Sequence, residues 1–141
     1  MAKKSLLYII AIVVSFFQFS CEKIYINGDL DGMWKLERVQ TGDTVEYPSS
    51  IYYSFQRHLI MLGKYSEEGF PDYYMAEFDK LGDRMTMTKF YKYPGHDGVC
   101  DMEELKQYYI FSDTMEFVVD KLDNEILLMH TGSYEYHFRK W

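Results

Sequence analysis

The strongest constraint on this chain is a period-two alternation of apolar and polar residues, which runs in short segments from residue 33 to the C-terminus. A β-strand sends successive side chains to opposite faces, so such alternation marks strands with one buried face. The cleanest case is Tyr134–Lys140, where Tyr134, Tyr136 and Phe138 face the interior and Glu135, His137 and Arg139 face water. The same reasoning marks 33–40, Ile51–Gln56, 59–65, 73–78, 85–91, 115–120 and 126–130. In the first, Trp34, Leu36 and Arg38 share one side. In the second, Ile51, Tyr53 and Phe55 do. In 85–91, Met85, Met87 and Lys89 oppose Thr86, Thr88 and Phe90.

Turn signals separate these segments: 41–44 (TGDT), 66–72, 79–84 with Gly82, 121–124 and 131–133. Arg57-His58 is the weakest boundary, because it contains neither Gly nor Asn. The stretch 92–109 differs in character, with Pro94-Gly95 and Asp97-Gly98 as loop signals. Asp101 is placed to cap a short helix reaching Tyr108, with Glu103 and Glu104 in its first turn, where the helix dipole favours acids.

The 14 Tyr and 10 Phe suit strands, and only 3 prolines interrupt the chain. Eight short strands with local connections predict an all-β fold, an eight-stranded antiparallel up-and-down barrel with one short helix. Its first and last strands would pair and remove both sheet edges. A two-sheet β-sandwich uses the same alternation and is the alternative.

The N-terminus opens Met1-Ala2-Lys3-Lys4-Ser5 and continues as an apolar run from Leu6 to Phe19. Fourteen residues span roughly 21 Å as a helix, short of the roughly 30 Å apolar core of a bilayer. Residues 1–20 therefore read as a signal peptide. Ser20-Cys21 ends the run and resembles the lipobox of bacterial lipoproteins, which implies acylation of Cys21. Gln18 stands where that motif carries an aliphatic residue. Residues 21–31 would then be a lipidated tether and 32–141 the folded domain. Such a protein is expected in the cell envelope, lipid-anchored to the outer membrane and either periplasmic or surface-exposed.

Removing residues 1–20 removes Lys3 and Lys4, leaving 13 basic and 22 acidic residues, a net charge of 13 − 22 = −9. That sign argues against nucleic acid as a partner. With Cys21 acylated, Cys100 has no partner for an internal disulfide and reads as a buried inert thiol.

Gly32-Met33-Trp34, inside LDGMWKLERV, looks like the Gly-x-Trp that opens the first strand of lipocalins. The closing YEYHFRKW, with Phe138-Arg139-Lys140, matches the aromatic last strand and basic end of lipocalin-like domains. With the lipobox-like Ser20-Cys21, the chain resembles the small lipocalin-like lipoproteins of Gram-negative bacteria. The resemblance implies a barrel plugged at one end by Trp34, with Arg139 stacked on the indole. The family's middle signature, Thr-Asp-Tyr, is absent; the corresponding turn reads Leu122-Asp123-Asn124.

No nucleophile elbow and no glycine-rich phosphate loop occur. Four histidines, at 58, 96, 130 and 137, show no ligand spacing. His130 and His137 with Asp120 or Glu116 form the only arrangement resembling a zinc site, and isolated surface histidines explain them equally well. Cys100 with His96 and Asp97 is a weak thiol–His pair. No enzyme, metal or cofactor is expected. What remains is binding. A small hydrophobic ligand would enter at the end opposite Trp34, lined by the inward-parity set Tyr53, Phe55, Met61, Met87, Phe117, Leu128 and Tyr136. The alternative is an envelope interaction protein that docks to a protein or glycan through exposed Tyr52, Tyr73, Tyr91 and Tyr93.

Overall fold

In the computed structural model, which describes residues 26–93 and 100–141, all eight expected strands form, and a ninth joins them. The elements are a 3-10 turn at Gly28–Leu30, then β1 (Gly32–Thr41), β2 (Thr44–Glu46), β3 (Ile51–Gln56), β4 (Leu59–Lys64), β5 (Tyr73–Leu81) and β6 (Arg84–Tyr93). Helix α1 (Met102–Leu105) and a 3-10 turn (Lys106–Tyr108) precede β7 (Met115–Leu122), β8 (Ile126–Thr131) and β9 (Tyr134–Lys140). The ninth is β2, in a segment read as a break; it doubles back on β1 through Thr41↔Thr44 and Val39↔Glu46.

All pairings are antiparallel; β3 to β9 pair in chain order, β1 pairs with both β2 and β3, and β1 also pairs with β9 from Trp34↔Lys140 to Thr41↔Tyr134. That pairing closes the ring and rules out the sandwich. The lower half of β1 pairs with β3 and its upper half with β2, so the closed ring has eight strands with β2 as a short addition. The joint between β6 and β7 is short. β6 meets β7 only from Arg84↔Val118 to Met87↔Met115, so above Met87 it has no partner on that side among the described residues.

The inward side chains build one core. Trp34, Leu36, Tyr53, Phe55, Ile60, Leu62, Tyr74, Met85, Met87, Phe117, Tyr136 and Phe138 are all buried. Burial of a large apolar side chain contributes about 1.5–3 kcal/mol, so this interior carries the fold, with no disulfide among the described residues. Phe55–Phe78 and Phe117–Tyr136 meet edge-on at 5.1 and 5.3 Å between centroids, and Tyr136 and Phe138 lie parallel at 6.4 Å.

Three bulges correct the alternation. The register shifts between Leu36 and Arg38, between Met75 and Glu77, and between Val119 and Lys121. An extra residue reverses the parity beyond it. Val39 therefore points inward and Arg38 outward, and Phe90 is buried while Lys89 is exposed at a positive φ of 57°. The strands also run further than the turn signals suggested: β5 and β6 leave only Gly82-Asp83 between them.

Two inward expectations fail for another reason. In β4 the buried positions are Ile60 and Leu62, which places Met61 on the outer face opposite Met75; in β8 they are Leu127 and Met129, which places Leu128 outside. Each strand alternates correctly, but its phase is set by cross-strand register, since apolar residues occupy both faces. Tyr52, expected to be exposed, is buried on the outer face under Tyr65, Phe70 and Trp141, with centroids 5.0–6.2 Å away.

Candidate functional site at the mouth of the barrel

The two ends of the barrel are closed differently. At the first, Leu30 and Trp34 are fully buried, and the indole Nε1 donates to the Leu30 carbonyl at 2.8 Å. The basic group over the ring is Lys140, whose Nζ lies 4.3 Å from the ring centroid and donates to the carbonyls of Asp29 and Asp31. Arg139, expected in that role, points outward and pairs with Glu37 at 3.2 Å. Adjacent strand positions face opposite ways, and the inward phase of β9 falls on Tyr136, Phe138 and Lys140.

At the opposite end the mouth holds a segment of the chain itself, residues 101–110, called the cork below. Its start is the expected one: the Asp101 side chain accepts from the Glu103 amide at 2.9 Å. Leu105, Tyr108 and Ile110, at i, i+3 and i+5, are buried in the core cluster. The cork turns back at Tyr109, which takes a left-handed φ of 62°. A non-glycine residue there is uncommon and strained by roughly 1–2 kcal/mol.

Three tyrosines rise from inside the barrel to meet the cork. The Tyr53 hydroxyl donates to the Tyr108 carbonyl and the Tyr136 hydroxyl to the Tyr109 carbonyl, the latter at 2.7 Å. The Tyr74 hydroxyl donates to Glu104 at 2.8 Å, and Lys92, paired with Tyr74 in the β5–β6 ladder, reaches the same carboxylate at 2.9 Å. Burial pushes the Tyr53, Tyr74 and Tyr136 hydroxyls well up. Hydrogen bonds from Lys92 and Tyr74 hold the Glu104 carboxyl low. At neutral pH the mouth thus presents three donor hydroxyls and one ammonium, all satisfied by acceptors on the cork.

Clefts flank the cork on both sides. One of about 320 Å³ is lined by Tyr65, Pro71, Tyr74, Lys92, Glu104 and Tyr108. One of about 310 Å³ is lined by Val39, Glu46, Lys106, Tyr109, Phe111 and Tyr134. On the second side burial, then a hydrogen bond to Glu46, pushes Tyr109 up to about 12.

Of the seven expected lining residues, Tyr53, Phe55, Met87, Phe117 and Tyr136 are in the interior and packed in one cluster. Tyr53 and Tyr136 reach the mouth; Met61 and Leu128 lie outside. Sequence reasoning did not single out Tyr74, Lys92 or Glu104 as a group. The available signal was the capped helix itself, whose spacing of Leu105, Tyr108 and Ile110 gives it a face to bury.

Other candidates disperse. His130 binds Asp120 at 2.7 Å, whereas His137 lies against Arg38 Nη2 at 2.7 Å and is lowered by burial and that charge. Among the described residues no group of three His, Cys, Asp or Glu side chains converges on a metal position. Cys100 is half-buried, and burial raises its thiol, which disfavours the nucleophilic thiolate. Cys21 and residues 94–99, with His96 and Asp97, lie outside the described residues. Tyr73 and Tyr91 are partly buried; Tyr93 is exposed and stacks on Tyr73 at 4.8 Å. No helix among the described residues is long and apolar enough to cross a membrane.

Comparison with known proteins agrees with this architecture. The family profile described as "Lipocalin-like domain" matches residues 14–141. The structure is similar to that of a lipocalin-like protein from Bacteroides uniformis, with a TM-score of 0.66 and 23% identity, over 81% of this chain and 100% of that one. It is also similar to an uncharacterized protein from Bacteroides eggerthii, with a TM-score of 0.64 and 21% identity, over 79% and 99%. No curated protein matches the chain.

Proposed function

Because the chain belongs to the lipocalin-like domain family, we propose that it is an exported, lipid-anchored, non-catalytic binding protein that takes a small apolar ligand at the mouth opposite Trp34. One observation carries this reading. At that mouth, the apolar space between Tyr53, Tyr74 and Tyr136 is filled by a short helical segment rather than by strand side chains, and clefts of about 320 and 310 Å³ remain beside it. Openings of this size reach the lower end of the usual small-ligand range, roughly 300–1,000 Å³. Below the tyrosines, Phe55, Met87 and Phe117 are buried in the core cluster. A ligand would therefore sit high in the barrel, not at its centre.

Native mass spectrometry of the full chain, purified from its own membrane, tests this reading. Co-purification of a small apolar molecule that is lost on Tyr53→Trp supports it; a ligand-free protein that takes up no apolar probe refutes it. The envelope location is tested separately by fractionation and acyl labelling, with Cys21→Ser expected to release the protein from membranes. Two exposed rings favour a second reading, docking to a protein or glycan. Trp141 and Tyr65 are 64% and 43% exposed on the outer face over Tyr52. A partner recovered by wild type and lost with Trp141→Ala would select it.

A further inference from the structure

The cork supplies, with its own atoms, the acceptors for four donors at the mouth. We propose that residues 101–110 are a built-in competitor for the mouth site, and that the ligand displacing them is a compact apolar monoanion whose acidic head takes the place of Glu104. This rests on the reading that the mouth binds a small molecule. Glu104 accepts from both Tyr74 and Lys92, and the carbonyls of Tyr108 and Tyr109 accept from Tyr53 and Tyr136. Withdrawal of the cork leaves three hydroxyls and one ammonium as donors around an apolar chamber. Donors left unpaired in such a place are costly, so the molecule that replaces the cork must bring acceptor oxygens. Its apolar body replaces Leu105, Tyr108 and Ile110, which together set its size.

The cork is also built to leave. It has one four-residue helix and a 3-10 turn, and it ends in a strained left-handed Tyr109. It sits against upper β6 through Lys92 and Glu104, where β6 above Met87 has no β7 partner among the described residues. The barrel ladders do not depend on it, so opening is local rather than global. A cork that is closed most of the time lowers the apparent affinity by the fraction open. Weakening it therefore strengthens binding.

The test uses two naphthylamine probes of nearly equal apolar body, 1-anilinonaphthalene-8-sulfonate and the uncharged N-phenyl-1-naphthylamine, with hydrogen exchange as the readout of the cork. Wild type is expected to bind the sulfonate about tenfold more tightly than the neutral probe, and Lys92→Met to remove that preference while keeping the neutral probe. Glu104→Gln, at a half-exposed position that does not endanger the fold, is expected to raise sulfonate affinity several-fold. Bound sulfonate is expected to speed exchange at the Leu105, Tyr109 and Ile110 amides, while the β1 and β9 amides stay slow. Either of two results overturns the inference and leaves the binding reading standing: sulfonate binding that further protects the cork amides, or affinity unchanged by Glu104→Gln. Absence of binding by both probes overturns the two together.

Discussion

Lys140 Nζ sits 4.3 Å from the centre of the Trp34 indole, on the residue directly across from it in the β1–β9 ladder, and donates to the carbonyls of Asp29 and Asp31. One side chain thereby ties together the closing pair of strands, the barrel plug and the turn that covers it. Burial lowers its ammonium, and the charges of Asp29 and Asp31 oppose that shift. Lys140→Met is expected to cost about 1–3 kcal/mol, from the cation–π contact and the charged hydrogen bonds it removes. Arg139→Met removes one exposed ion pair with Glu37 and is expected to cost under about 0.5 kcal/mol. Urea unfolding of the two variants measures the difference. Equal costs would contradict the placement.

Gly63 has an ordinary φ, yet a Cβ built there falls 2.6 Å from the Phe70 ring. Its constraint is steric, set by the outer aromatic cluster of Tyr52, Tyr65 and Phe70. Gly63→Ala is expected to cost about 1–3 kcal/mol as overpacking. In a Phe70→Ala background the same change should cost much less, and the double-mutant cycle reads the coupling directly.

The β3–β4 hairpin turns through Arg57-His58, with Arg57 at a left-handed φ of 58°. The strain of an L-residue there, roughly 1–2 kcal/mol, exceeds the added chain entropy of glycine. Arg57→Gly keeps the carbonyl that accepts from Asn27 at 2.7 Å. It is expected to raise stability by about 0.5–1 kcal/mol, seen as a higher urea midpoint with unchanged slope.

Burial raises the hydroxyls of Tyr53, Tyr74, Tyr109 and Tyr136. The folded state holds these protons where the unfolded chain, titrating near about pH 10, releases them. Their contribution is therefore complete below about pH 10 and is lost as pH rises above it. Lys140, shifted the other way, opposes this with a single group. The melting temperature should fall steeply above pH 10, and tyrosinate absorbance should rise with the loss of structure rather than ahead of it.

Much of the barrel was legible in the residues because alternation is a local property. Ile51–Gln56 and Tyr134–Lys140 form with the bounds the pattern marks, and Asp101 caps its helix as its position suggests. Bulges were not legible. Nothing in Leu36-Glu37-Arg38 announces an extra residue, because the shift belongs to the pairing with β9 and not to either strand. Met61 and Leu128 show the same limit: a strand with apolar residues on both faces leaves its phase to its neighbours.

Trp34, the basic end of the last strand, the turn-separated strands and the capped helix are all properties of neighbours along the chain, and the sequence alone determined them. Which of Arg139 and Lys140 covers the indole, which side chains of β4 and β8 turn inward, and where the helix docks were decided only in three dimensions. Register depends on hydrogen bonds between residues far apart in the chain, and the mouth exists only because Tyr53, Tyr74, Lys92 and Tyr136 converge from four strands on a segment that supplies their acceptors.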